Sequence, residues 1–393
     1  MPWQEQSQMS LRHEFVTLAA ADGANLRELC RRFGISPTTG YKWLARYRAE
    51  GLAGLADCSR RPHTSPTQTA PAMEARIVAL RDAHPAWGAR KLGTVLARQD
   101  RAQATSPTGP LPSASTITRI LHRRDRIDPA ESVKHRAWQR FEHAQPNDLW
   151  QMDFKGHLAM AAGRCHPLAI VDDHSRFLVG LFACANEQDD TVQAQLTRVF
   201  RRYGLPCRLL TDNGSPWGVP QAPERLTTLG VWLVRLGVEP WHGRIRHPQT
   251  QGKVERFNRS FKAEVCRPHQ CDDLGACQAG YDAWRDTYNL LRPHEALGMA
   301  VPASRYQPSP RPFPEVLPPI EYGPDDIVRK VHGSGQVRYG NRDWYVGQAL
   351  LRQPVALRPS AEDGVLDVIY CQLTIRQIDL RQPPGAALDS IAT

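Results

Sequence analysis

Residues 148–160 read DLWQMDFKGHLAM, and the middle of that stretch alternates: Trp150, Met152 and Phe154 fall on one side of an extended chain, Gln151, Asp153 and Lys155 on the other. The pattern predicts a β-strand with one apolar face. A half-buried strand with a solvent-facing edge would account for it, but Asp is depleted in strands. Metal ligation is one reason to keep an Asp at position 153.

Outward from this strand the chain alternates between strand-like and helix-like segments. CHPLAIVDD (165–173) and RFLVGLFACA (176–185) read as two more strands joined by short turns. DDTVQAQLTRVFRRYG (189–204) has the apolar spacing of an amphipathic helix, capped by Gln188, Asp189 and Asp190, and CRLLTD (207–212) reads as a short buried strand. A helix (223–237), a strand (238–242) and two further helices (252–265 and 275–291) follow. Antiparallel strands followed by alternating β and α elements predict an α/β unit with a mixed sheet.

Two further acidic residues sit at informative places in that order. Asp212, in LPCRLLTDNGSPWG (205–218), follows an apolar strand at its carboxyl end, where open α/β sheets hold their ligands. D-N-G is also ordinary turn chemistry. Glu255, in HPQTQGKVERFNRSFKAE (247–264), lies in a helix among Lys253, Arg256, Arg259 and Lys262. That is either a solvated ion-pair surface or a helix lying on DNA, with basic residues on phosphates and Glu255 turned to a metal. Glu264 is the competing carboxylate. Asp172 and Asp173 are rivals that a tight turn explains.

Upstream, residues 11–50 predict three helices. Leu11, Phe15 and Leu18 share a face of the first; Leu26, Leu29 and Phe33 line the second, which ends at Gly34; Ser36 caps a third that opens with Pro37. A short helix, a tight turn and a second helix form a helix-turn-helix. Its third helix would present Thr38, Thr39, Lys42 and Arg46 to DNA while Trp43, Leu44 and Tyr47 pack. The segment 59–71 is rich in Pro, Ser and Thr, begins with Arg60 and Arg61, and reads as an arm able to follow a DNA groove. Helical patterns at 73–84, 87–100 and 115–124, the last capped by Ser113 or Ser115, predict a second helix-turn-helix.

Composition agrees with a nucleic-acid partner. The 393 residues carry 50 Lys and Arg against 40 Asp and Glu, a net charge of +10, and 43 of the 50 cations are Arg. Arg forks match phosphate oxygens, and phosphate contacts supply most non-specific DNA affinity. GC-rich coding also favours Arg but does not explain the net charge. Nine scattered Cys form no disulfide framework; Cys266, His269, Cys271 and Cys277 lack zinc-site spacing. No apolar run reaches the roughly 18 residues of a membrane span, so a cytoplasmic, nucleoid-associated bacterial protein is expected. The expected organisation is a helix-turn-helix domain (1–60), a linker (61–71), a second helical domain (72–125), a linker (126–145), the α/β core (146–306), a Pro-rich linker (307–325), a small all-β barrel (326–380) and a disordered tail (381–393).

Taken together, the Asp of the first strand, D-N-G after the fourth, and QTQGKVERFNR on a later helix resemble the integrase core of retroviral-type DDE transposases. LLRPHEALG (290–298) with VPASRY (301–306) resembles the end of that core in bacterial insertion-sequence transposases, and residues 34–63 resemble their helix-turn-helix. The resemblance spans residues 10–306. It departs from retroviral integrases in a longer spacing between Asp212 and Glu255 and in lacking their N-terminal zinc module.

It implies a ribonuclease-H-like fold, with Asp153, Asp212 and Glu255 as catalytic metal ligands for two Mg²⁺ (Mn²⁺ could substitute) about 3.5–4 Å apart. The implied activity is cleavage at the 3′ ends of an element and strand transfer into target DNA. The implied partners are double-stranded DNA, as terminal inverted repeats and target, and a second copy of the chain in a dimer or larger assembly. His247, Gln249, Lys253, Arg256, Arg259 and Lys262 are expected to contact end DNA. Asn213 and Gly214 are expected to shape the loop behind Asp212, and Arg292 and His294 to serve either the core or DNA. A non-catalytic DNA-binding regulator and a ribonuclease-H-like nuclease are the alternatives.

Overall fold

The computed structural model describes residues 8–57, 68–102, 110–127, 142–161, 163–218, 226–242, 252–266 and 272–382, without the side chain of Glu255. Arg60, Arg61, His247 and Gln249 lie outside the described residues. The chain divides into two compact units, Met1–Gln68 and Thr69–Thr393.

The first unit packs α1 (Gln8–Ala19), α2 (Leu26–Arg32) and α3 (Pro37–Glu50) around Phe15, Val16, Cys30, Trp43, Leu44 and Leu55. Asn25 caps α2 and Ser36 caps α3, each accepting a backbone N–H three residues on. Gly40 lets α3 approach closely, since a Cβ there would lie 2.5 Å from Cys30 Sγ and 2.9 Å from the Phe15 ring. The expected face of α1 is corrected: Leu11 and Leu18 are exposed, while Phe15, Val16 and Ala19 are buried. The short α2 and α3 cover one stripe only, and Leu18 stands about 100° around the helix from Ala19.

The second unit begins with α4 (Pro71–Ala83), α5 (Ala89–Ala102) and α6 (Ala114–Arg123), closed over Met73, Ile77, Trp87, Leu92, Leu96, Ile117 and Leu121. Ser113 caps α6 through the Thr116 N–H. Glu74, buried beneath α6, holds Arg123 and Arg124.

The mixed sheet that follows is built from β1 (Leu149–Phe154), β2 (Leu158–Met160), β3 (Gly163–Asp172), β4 (Leu178–Cys184), β5 (Arg208–Thr211) and β6 (Glu239–His242). β1 runs antiparallel to β3 and parallel to β5, which is parallel to β6; β3 also pairs with β2 and β4. One face, with Trp150, Met152, Leu168 and Ile170, packs on α7 (Asp189–Tyr203) and α8 (Thr228–Arg235). The other, with Ala169, Val171 and Leu181, packs on α9 (Gly252–Phe261) and α10 (Leu274–Asp286) through Phe257, Phe261, Tyr281 and Trp284. Two helical layers thus enclose the sheet. α7 starts from Gln188, whose side chain makes no capping bond, with Asp189 and Asp190 in its first turn, where they favour the helix dipole.

The Pro-rich stretch after residue 306, expected as a linker, is strapped to the sheet unit. Phe313 and Leu317 pack on its core, and Arg311 donates to the carbonyls of Pro206, Leu236 and Gly237.

The C-terminal strands correct the expected barrel. β7 (Ile327–Lys330), β10 (Pro354–Pro359), β11 (Val365–Tyr370) and β12 (Leu373–Asp379) form an open antiparallel sheet, and β8 (Gln336–Tyr339) pairs with β9 (Arg342–Tyr345) in a separate two-stranded ribbon. Closure fails because, among the described residues, β7 and β12 end the four-stranded order without pairing to each other. The apolar face is covered instead by the β8–β9 ribbon and by Val231 and Val234 of α8.

Candidate active site

The parallel pairing of β1 and β5 sets the first geometric fact. Leu149 faces Arg208, Trp150 faces Leu209 and Gln151 faces Leu210, a constant offset. Continued two rows, that register brings Asp153 level with Asp212. Adjacent strands are about 4.8 Å apart, so a register that held to these rows would set the two carboxylates side by side.

Strand alternation turns Asp153 away from Trp150 and Met152 toward α9. There Asn258 Nδ2 donates to Asp153 Oδ2 at 2.8 Å. Asn258 is 7% exposed, and among the described residues its Oδ1 is buried without a hydrogen-bond partner. An unsatisfied buried carbonyl oxygen beside a carboxylate suits a cation or its water. Glu255 precedes Asn258 by one helical turn. α9 packs on both β1 and β3, and Gln151 Oε1 accepts the Val254 N–H at 3.3 Å.

Asp212 begins a loop that folds back at once. Its Oδ1 accepts the Gly214 N–H at 3.0 Å and the indole N–H of Trp217, in keeping with the loop-shaping role expected of Gly214. The Gly218 N–H closes onto the Gly214 carbonyl at 2.8 Å, and a Cβ at Gly218 would meet the Asn213 carbonyl oxygen at 2.6 Å. His242 Nδ1 lies 3.3 Å from the Asp212 carbonyl oxygen, which accepts from it. Burial holds the His242 imidazole below the usual histidine range, against the pull of Asp212. It therefore sits neutral beside the site at pH 7.

The remaining carboxylates have structural partners. Asp172 accepts from the backbone of Asn147 and Ser175, and burial pushes its carboxyl above the usual range. Asp173 accepts from Gln151, from the His143 backbone and from Lys253 Nζ. The turn explanation fits Asp172, which bonds Ser175 within the turn, whereas Asp173 ties that turn to β1 and α9. Glu264 is spent on Arg292 Nε and Trp284 Nε1, both at 3.0 Å. Arg292 and His294 are buried, and burial with the Arg292 charge drives His294 well below its ordinary value; both belong to the core.

Among the basic residues, Arg256 and Arg259 are exposed along α9, and Lys262 is exposed just past its end. Lys253 is turned inward onto Asp173, and burial, then Arg176, lower its ammonium. In the first unit Thr38 and Lys42 are exposed on α3, Thr39 bonds the Ser36 hydroxyl at 2.9 Å, and Arg46 lies over the Trp43 ring and donates to the Ala56 carbonyl. Among the described residues no group of three His, Cys, Asp or Glu side chains forms a metal site; Glu255 has no described side chain. Asn258 and Trp217 are the site residues that sequence reasoning missed. A helical spacing of three from Glu255 and an indole five residues after Asp212 were the available signals.

Residues 143–248 and 236–302 match two integrase core domain families, and residues 326–384 match the C-terminal domain of IS481 family transposases. Residues 12–63 match a helix-turn-helix domain and residues 39–121 a homeodomain-like domain. The chain is 27% identical over 264 residues to an uncharacterized 39.2 kDa protein of insertion element IS476 from Xanthomonas euvesicatoria, covering 66% of this chain and 72% of that one. It is 29% identical over 158 residues to an uncharacterized 31.7 kDa protein of insertion element IS407 from Burkholderia multivorans, covering 40% of this chain and 54% of that protein. Among solved structures, the HTLV-2 integrase catalytic core domain in complex with magnesium aligns at 14% identity and a TM-score of 0.30, over 41% of this chain and 97% of that one.

Proposed function

We propose that the chain, whose segments match integrase core domains and the C-terminal domain of IS481 family transposases, is an insertion-element transposase that cuts the 3′ ends of its element and joins them to target DNA. The observation that carries this reading is the parallel pairing of β1 with β5, the strands that lead into Asp153 and Asp212, with α9 bonded to the first of these through Asn258. Glu255, one turn before Asn258, completes the carboxylate trio. The residues fit a divalent metal: the donors are hard oxygens suited to Mg²⁺, and the Asn258 carbonyl oxygen lacks a partner among the described residues. When bound, two Mg²⁺ would supply charge stabilisation at the phosphodiester and activation of the attacking oxygen.

The chain's own groups orient the reaction. Asn258 holds Asp153 in one rotamer. Exposed Arg256, Arg259 and Lys262, with His247 and Gln249, seat the end of the DNA, whereas Lys253, expected among them, is spent on Asp173. Thr38, Thr39, Lys42, Arg46, Arg60 and Arg61 belong to a separate unit that reads the terminal repeat. Joining two ends requires two such sites, so the working form is a dimer or larger assembly on DNA.

The test is a joining assay with a duplex carrying the element's terminal repeat, supercoiled target plasmid and Mg²⁺. Joined product from wild type supports the proposal. Cutting without joining would make the protein a nuclease, and binding with neither would make it a regulator.

A further inference from the structure

Trp217 lies in the loop after β5 yet is only 5% exposed. Its ring stacks on Phe154 with centroids 5.3 Å apart and planes 20° from parallel. Phe154 is the neighbour of Asp153 on β1, and the Trp217 indole N–H donates to Asp212 Oδ1. One side chain therefore braces the strand that carries the first carboxylate and bonds the second directly. Packing on Phe154 needs only an aromatic ring. The N–H is what an indole adds, and a buried indole seeks a partner for it; here the partner is a carboxylate, which strengthens the bond. With the Gly214 N–H on the same oxygen, both donors engage Oδ1, and among the described residues none bonds Oδ2.

We propose that Trp217 is a positioning residue for Asp212: its N–H pins Oδ1 and so presents Oδ2 to a divalent cation held between the ends of β1 and β5. The proposal rests on the reading of Asp153 and Asp212 as the metal site. Two effects oppose each other. The N–H draws charge from the carboxylate, which weakens it as a ligand, and it removes the rotational freedom that binding would otherwise have to remove. Partners of metal ligands generally contribute through orientation, and losing one costs about 10–100-fold in affinity.

The experiment is Mn²⁺ binding to the full chain, read from the paramagnetic signal of free Mn²⁺, for wild type, Trp217→Phe, Asp212→Asn and the double variant. Trp217→Phe keeps the ring on Phe154 and is expected to bind Mn²⁺ about 10-fold more weakly. In the Asp212→Asn background the same change is expected to have no further effect. Unchanged or tighter binding in Trp217→Phe overturns the proposal, as does an equal loss in both backgrounds, which would mark a packing effect. Wild-type affinity in Asp212→Asn would overturn the metal-site reading itself, a separate result. Should Trp217→Phe not fold, ¹⁵N-indole NMR of wild type decides: an indole N–H resonance shifted by Mg²⁺, and unshifted in Asp212→Asn, is expected. No responsive indole would contradict the proposal.

Discussion

Glu255 and Glu264 lie nine residues apart on one helical stretch, and the roles assigned to them predict opposite behaviour. Glu264 and Arg292 have side chains only 9% and 8% exposed, so Glu264→Gln leaves a buried guanidinium without its counter-charge. Breaking a buried pair from one side costs about 3 kcal/mol or more, so thermal unfolding should show a clear drop in melting temperature. Glu255→Gln should leave the melting temperature near wild type and abolish joining. A stable Glu264→Gln that joins no DNA would exchange the two roles. Asp153→Asn removes a charged ligand and is expected to lower the joining rate on the order of 10³-fold, the loss of several kcal/mol of charge stabilisation. DNA binding, measured by gel shift, should persist.

At the scale of elements, α5 meets the sheet unit through ionisable groups. Arg98 donates to the Met299 carbonyl at 2.5 Å. Burial, with Arg292 nearby, lowers Lys91 to about 8, against the pull of Glu264 and Glu295. A lysine lowered on folding binds fewer protons in the folded state than in the unfolded one. Its burial therefore costs stability in full below pH 8, and that cost falls as pH rises from about 8 toward 10.5. Lys91→Met should flatten this part of the stability–pH curve in denaturant titrations at pH 7, 8, 9 and 10. A curve identical to wild type would mean that Lys91 is not held this way.

Elements show where the sequence was legible and where it was not. The alternation in WQMDFK located β1 and its two faces, because burial on a sheet follows period two. Ser36 announced the start of α3, and Ser113 or Ser115 that of α6, because capping is local chemistry. Leu11 and Leu18 misled, because which stripe of α1 is covered depends on the lengths of its partners. The bond from Trp217 to Asp212 also stayed hidden, since it depends on how the loop folds back after β5.

At the scale of the molecule, the C-terminal sheet shares an apolar core with α8. Val231 and Val234 pack with Val355, Leu357, Val368 and Tyr370. The sequence of 326–380 announced an all-β unit but could not show that α8 and the β8–β9 ribbon, rather than barrel closure, would cover its apolar face. Removing residues 326–393 should uncover Val231 and Val234, each worth about 1.5 kcal/mol or more when buried. The truncated chain should melt lower and bind a hydrophobic dye. A truncation as stable as the full chain would make the C-terminal sheet an independent domain.

The central claim is that a divalent metal sits among Asp153, Asp212 and Glu255, and its location can be mapped without relying on turnover. Fe²⁺ substituted for Mg²⁺ on the DNA-bound protein, with ascorbate and peroxide, cuts the backbone close to the metal. Fragments ending near residues 153, 212 and 255, and lost in Asp212→Asn, are the predicted result. Cuts clustered at 172–173, or a pattern unchanged in Asp212→Asn, would contradict the account.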